Sequence, residues 1–284
     1  MWYHISVQGN GRQILFWDRQ DILHAIDLLA VCSHNCQVDV LAYQFLSNHY
    51  HFILECDAPS AFMQSFRISY SKYFNNRHRS SGAVGKFRYS CGKITDCLRL
   101  ENRLVYVLRN SAKHGVIEHP LMDPYNSSQY YFFNECKVTE PFNLKIAGPN
   151  NNLKNSGHLI PEHFRLDVKD HIYPRSFLKY HAVEQVFKSY SAFMRQLTNP
   201  TAEEIADNQG VTPNRRATTV TDLLLSEKIL NSIKPRPISS LTVAEILQLC
   251  LKLLEKQTIP VRQLSRVFGI PETTLRRELQ FLAR

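Results

Sequence analysis

With 284 residues, 44% of them apolar and 21% charged, the chain has the make-up of a globular protein, with room for one large domain or two smaller ones. No apolar run is long enough to span a bilayer, and the first residues alternate like a strand rather than a leader, so a cytosolic protein is expected. Seven cysteines without a CxxC pair read as reduced thiols, most of them packed inside, and the net charge of +9 invites a look at where the cations lie.

Trp2–Val7 and Gln13–Trp17 read as short strands around a Gly9-Asn10-Gly11 turn. Asp21–Cys36 carries a helical stripe (Ile22, Leu23, Ile26, Leu29, Ala30) behind an acidic cap, which puts the Cys32-x3-Cys36 spacing inside a helix and argues against zinc. Val38–Leu46 and His49–Cys56 follow as neighbouring strands. Pro59 opens a helix through Asn76 with Phe62, Phe66, Tyr70 and Tyr73/Phe74 on one side. After Ser80-Ser81-Gly82 come a strand around Phe87–Ile94 and a helix, Leu98–Asn110, phased by Leu100, Leu104 and Leu108. Strands separated by two crossing helices imply an α+β fold, a ferredoxin-like antiparallel sheet with helices on one face.

From Asn126 to Pro174 no motif emerges. Helical patterns return at Ser176–Leu197 and Val220–Ser232, Lys234-Pro235-Arg236-Pro237 reads as a linker, and Val243–Glu255 is an amphipathic helix. Val261–Phe268, a turn at Gly269 and Glu272–Leu282 match a helix-turn-helix. Gly269 supplies the positive φ, small Ser265 lets the helices cross closely, and Leu264, Phe268, Ile270, Leu275 and Leu279 close a small core. Thr273, Thr274, Arg276 and Arg277 would then face a major groove or its phosphates. The competing reading is a helical hairpin packed on the rest of the chain. The expected organisation is a first domain over 1–131, a partly helical connection over 132–235 and a DNA-binding helix-turn-helix over 236–284.

Chemistry concentrates in three places. Alternation puts His49 and His51 on one strand face, roughly 7 Å apart, and two imidazoles so placed can grip a divalent ion. On the helix, Tyr106 points about 160° away from both Leu104 and Leu108, and Asn110 lies one turn further along the same face. Finally, Ala58–Thr95 holds no Asp or Glu, where overall composition leads one to expect about three. It holds instead Arg67, Lys72, Arg77, Arg79, Lys86, Arg88 and Lys93, interleaved with Phe66, Tyr70, Tyr73, Phe74, Phe87 and Tyr89. Such a stretch suits phosphate neutralisation and stacking on unpaired bases; the plainer reading is a basic helix with its core stripe.

Several stretches together resemble the single-tyrosine HUH transposases, most closely the REP-associated tyrosine transposases. They are Gln8–Gln13, Asn48-His49-Tyr50-His51-Phe52-Ile53-Leu54, Tyr70–His78, Tyr106-Val107-Leu108-Arg109-Asn110 and Ser127–Tyr130, in the family's order over about residues 1–131. Departures are Leu46-Ser47 for the family's Met-Pro, Ser111 for the proline after the asparagine, and Phe87 for a glycine. The resemblance implies His49, His51 and Asn110 as ligands of Mg²⁺ or Mn²⁺, and Tyr106 as nucleophile forming a 5′-phosphotyrosine and freeing a 3′-hydroxyl. The partner would be single-stranded or hairpin DNA, with no membrane, the protein acting as monomer or homodimer. DNA contacts are expected from Arg67, Lys72, Arg77, Arg79, Lys86, Arg88, Thr273, Thr274, Arg276 and Arg277, with Tyr89 and Arg109 as further phosphate candidates. His4, His78 and His114 are expected in ordinary surroundings. Two alternatives stand beside this: a non-catalytic DNA-binding relative, and an RNA-processing hydrolase on the same compact sheet.

Overall fold

The computed structural model describes residues 1–154, 156–199, 220–256 and 259–282. Strands β1 (Trp2–Gln8), β2 (Asp39–Leu46), β3 (His49–Glu55) and β4 (Ser90–Ile94) form one antiparallel sheet in the order β2-β3-β1-β4. Helix α1 (Arg19–Asn35) links β1 to β2, and α2 (Ser60–His78) links β3 to β4. Both crossover helices share one face, burying Ile5, Val7, Tyr43, Phe45, Tyr50, Phe52 and Leu54 with Phe62, Phe66 and Tyr70. The fold is α+β, with a mostly helical C-terminal region.

Local chemistry sets the helix ends. Asp18 caps α1 by accepting from the Asp21 N–H, and Asp21 in turn accepts from the Trp17 N–H. Helix α2 stops where Arg79 turns left-handed at φ 50°, its N–H donating to the Asn75 carbonyl. Helix α3 (Cys97–Leu108), capped by Asp96, takes the opposite face of the sheet. There Leu100, Leu104, Val105 and Leu108 bury against Leu41, Ala42, Ile53 and Ile94. The short α4 (Asn110–Lys113) follows directly, Arg109 keeping helical dihedrals between them.

Some expectations change. Gln13–Trp17 is not a strand: the Leu15 and Phe16 N–H groups both donate to the Ser47 carbonyl, and Ile14 and Trp17 turn toward the C-terminal helices. Phe87–Tyr89 lies outside β4, whose pairing with β1 starts at Ser90 opposite Ser6. The segment Ser176–Leu197 contains two helices, α5 (Tyr180–Phe187) and α6 (Tyr190–Thr198), parted at Lys188 with φ 66° and restarted by the Ser189 cap. Both pack on α3 through Val183, Phe187, Phe193 and Leu197. In the stretch without motifs lies a small hairpin, β5 (Lys145–Ile146) with β6 (Arg165–Leu166). Only Cys32 and Cys250 among the seven free cysteines are buried, and Cys91 and Cys97 are exposed, because they sit on an edge strand and at a helix start.

The last four helices, α7 (Asp222–Ile233), α8 (Val243–Lys256), α9 (Val261–Phe268) and α10 (Glu272–Leu282), share a third core. Leu225, Ile229, Cys250, Leu264, Val267, Leu275 and Leu279 build it, and it rests on Ile14 and Trp17. Gly269 turns at φ 68°, and the Ser265 hydroxyl donates to the Ile270 carbonyl at 2.7 Å, the close crossing expected of that residue. Gln13 Nε2 donates to the Gly269 carbonyl at 3.3 Å, so the turn is docked on the loop after β1. Residues 200–219 of the expected connection lie outside the described residues. Among the described residues no helix is long and apolar enough to cross a membrane.

Candidate active site and nucleic-acid interface

The face of the sheet under α3 is where the expected site residues meet. On β3 the register sets His51 opposite Ser6, His49 opposite Gln8 and Ile53 opposite His4. Helix α3 then lays the Tyr106 ring edge-on to two imidazoles, 5.8 Å from His51 and 5.8 Å from His4 between centroids. Tyr106 is half-buried while Leu104 and Leu108 are fully buried, as the helical phase requires. Asn110, completely buried, holds its Oδ1 2.8 Å from His49 Nε2, and Asn48 Oδ1 lies 2.6 Å from His49 Nδ1. The end of α3 is held from below, the Asn126 amide donating to the Leu108 carbonyl at 2.6 Å. The Ser127 hydroxyl accepts from the Tyr43 N–H at 3.0 Å, tying the same segment to β2.

Two histidines expected in ordinary surroundings belong to this cluster. His4 Nε2 sits 3.1 Å from His51 Nδ1 with the rings stacked, and the His114 ring meets His49 edge-on at 5.2 Å. The signal for His4 was its place on the alternating first strand, but pairing register is a tertiary fact. His78 does have ordinary surroundings, bonded to Asp21 at 2.9 Å. Two cations also flank the Tyr106 ring: Arg103 at 5.8 Å and Lys113 at 5.1 Å from its centroid. They lie three residues before and seven after Tyr106, a helical spacing visible in the sequence but not singled out by it.

Burial controls the charge here. It lowers the His49 pKa below the ordinary imidazole value, against a raising hydrogen bond from Asn110. Burial and then the neighbouring His49, His4 and His114 push His51 well below it, and burial with the Arg103 charge brings His4 down to about 4. All three rings are therefore neutral near pH 7, the form that ligates metals. A neutral His49 has one N–H. Given to Asn48 through Nδ1, it leaves the Nε2 lone pair facing the Asn110 carboxamide oxygen, while Asn110 Nδ2 is buried with no partner. Two facing lone pairs are stable when a cation lies between them or when the amide turns over. Neighbouring ligands of a Mg²⁺-sized ion are roughly 3 Å apart, the spacing of the His49 and Asn110 atoms at 2.8 Å. Among the described residues no group of three His, Cys, Asp or Glu side chains is arranged for a metal, so a site here depends on the carboxamide.

No family model and no curated protein matches the chain. A solved REP-associated tyrosine transposase bound to a REP hairpin is similar to it at 16% identity, with a TM-score of 0.39, covering 56% of this chain and 92% of that one.

The expected DNA contacts divide by where their donors go. Lys72, Arg79, Lys86 and Arg88 are exposed. Arg67 instead donates to the carbonyls of Lys86 and Phe87, at 2.6 and 2.9 Å, and lies 5.8 Å over the Tyr89 ring. Arg77 is engaged by Asp18 and Asp21, and Arg109 is buried with Nη1 donating to the Leu197 carbonyl. These three brace the fold, because each lies where a carbonyl or carboxylate of another segment is in reach. The interleaved aromatics Phe66, Tyr70, Tyr73 and Phe74 are core, the plainer of the two readings; of the seven Phe and Tyr rings in the window Phe87 alone is fully exposed. On α10, Thr273, Arg276 and Arg277 face solvent and Thr274 is half-buried, with Arg276 paired to Glu272 and Arg277 to Glu278. A surface cleft of about 570 Å³ between the start of α1, the end of α2 and α7 carries Arg19, Arg79, Lys169 and Lys234 on its walls.

Proposed function

We propose that the protein is a metal-dependent DNA strand transferase that cuts single-stranded or hairpin DNA and holds the cut end on Tyr106. The observation that carries this reading is the packing of the Tyr106 ring against His51 and His4, beside the His49–Asn110 contact. His49, His51 and Asn110 would hold Mg²⁺ or Mn²⁺. When bound, the ion would neutralise the anionic oxygens of a phosphodiester and favour in-line displacement.

The chain's own residues do the rest. Tyr106 attacks phosphorus, an O–P bond forms as the bond to the 3′-oxygen breaks, and the phenol proton is balanced by the proton the leaving 3′-oxygen takes up. A 5′-phosphotyrosine conserves the bond energy, so the strand can be rejoined without a nucleotide cofactor. Asn48 keeps the His49 proton on Nδ1, and His4 does the same for His51, leaving both Nε2 atoms as ligands. Arg103 and Lys113 beside the Tyr106 ring favour the developing phenolate and the phosphate. Exposed cations from Lys72 to Arg88 and the outward face of α10 would track the DNA backbone.

Incubation of the full chain with labelled hairpin oligonucleotides, with and without Mn²⁺, tests this. A metal-dependent band of protein-linked DNA on a denaturing gel, absent in Tyr106→Phe, is expected. Cleavage that survives Tyr106→Phe removes the tyrosine mechanism, binding without any cleavage leaves a DNA-binding relative, and cut RNA without a protein adduct favours the hydrolase.

A further inference from the structure

Phe87 is 86% exposed on a loop that is otherwise held tightly. The Lys86 N–H donates to the Gln8 carbonyl at 2.8 Å, and the Lys86 ammonium reaches Gln8 Oε1 at 3.2 Å. The Arg67 guanidinium fixes the carbonyls on both sides of the Lys86–Phe87 junction. Two residues earlier, Gly85 lies buried at φ 87°, and a Cβ there would touch Leu15 and Val7. The backbone is thus fixed at four points while the ring projects into water. The braced loop leaves the Phe87 ring face free to meet a flat apolar partner.

Its neighbours say what kind of partner. Lys86 and Arg88 flank it, both exposed, in a stretch with no acidic side chain from Ala58 to Thr95. Two exposed cations beside one exposed ring match a single-stranded nucleic acid, in which a base can leave its neighbours and stack. An acidic peptide would suit the charge but offers the ring no flat face. The location fits as well: Gln8, to which the loop is tied, is the register partner of His49. The loop therefore stands at the His49 end of the sheet.

We propose that Phe87 is a stacking platform for one unpaired base of the DNA strand that enters the Tyr106 site. The inference rests on the function proposed above, and it adds which part of the substrate must be unpaired. Binding is measured without chemistry, using Tyr106→Phe protein and a fluorescent hairpin oligonucleotide with a single-stranded extension, against a fully paired duplex of equal length. Adding Phe87→Ala is expected to weaken hairpin binding by about tenfold, as loss of one base–aromatic stack does, and to leave duplex binding unchanged. Phe87→Trp should restore the affinity and Phe87→Leu should not, since leucine keeps apolar area without a stacking face. Equal losses on hairpin and duplex, or full rescue by leucine, overturn the platform. If Phe87→Ala leaves hairpin affinity unaltered while wild-type protein still forms the covalent adduct, the platform falls and the strand-transfer reading stands. If the parent protein binds no hairpin, both fall.

Discussion

On β3, Tyr50, Phe52 and Leu54 point into the core beneath α1 and α2, while His49, His51 and Ile53 point toward α3. One strand thus serves an aromatic face and a face that joins an apolar core to a polar cluster. The α1–α2 face is aromatic, with Phe52 within 4.9 Å of Tyr50 and 5.4 Å of Phe66 between ring centroids. The α3 face holds three neutral imidazoles, one buried and two half-buried, with a buried amide whose nitrogen has no partner and the unpartnered Ser111 hydroxyl. Each such group costs on the order of 1–3 kcal/mol to desolvate. The apolar face stabilises the sandwich, and the polar face draws on that stability to keep its groups preorganised.

Substitutions on either face separate the two roles. Tyr106→Phe should lower adduct formation at least ~1,000-fold and move the melting midpoint by less than about 2 °C, because the ring keeps its packing. A parallel fall in melting temperature would instead mark Tyr106 as a structural aromatic. Phe52→Ala, on the other face of β3, should cost ~3–5 kcal/mol in urea unfolding while the folded fraction keeps its cleavage rate. Should cleavage per folded molecule collapse, the faces are coupled and the comparison fails.

His4→Phe sharpens the contrast within the polar face. The ring stays but the bond to His51 Nδ1 goes, so cleavage and Mn²⁺ affinity should drop ~10–100-fold with stability unchanged or raised. Unaltered Mn²⁺ affinity by titration would show that His4 does not orient His51. The smallest effect concerns the apolar side. At Asp18, burial alone would push the carboxyl up, but the hydrogen bonds and charge of Arg77, with the Asp21 N–H, hold it below the ordinary carboxylate value. A depressed folded-state pKa contributes stability that is complete above the unfolded value and is lost as pH falls through the folded one. Asp18→Asn keeps the cap and removes the charge, so it should cost about 1 kcal/mol at pH 7, and its stability should fall less than the wild type's below pH 4. Parallel acid limbs for the two proteins would show that the ion pair with Arg77 has no net value.

Much of this was legible in short-range pattern. The alternation around His49 and His51, the 3.6-residue phase that turned Tyr106 away from Leu104 and Leu108, and the Gly269 turn are each decided within a few residues, and the structure keeps all of them. The basic window was legible as composition, yet composition could not separate exposed Lys86 and Arg88 from Arg67 and Arg77. That depended on whether a carbonyl or carboxylate from elsewhere in the chain was within reach of the guanidinium. The Gln13–Trp17 segment failed as a strand for a related reason. Its apolar run is real, but Ile14 and Trp17 meet helices more than two hundred residues away.

Local sequence alone therefore determined which residues could share a strand face or a helix face, because the backbone period is a property of a few consecutive peptide units. The tertiary structure decided who meets across elements. It brought His4 to His51 through strand register, Tyr106 to both through the packing of α3, and the Gly269 turn to Gln13 through a third core. Those meetings arise from burial of distant apolar surfaces, whose pairing only the folded chain specifies.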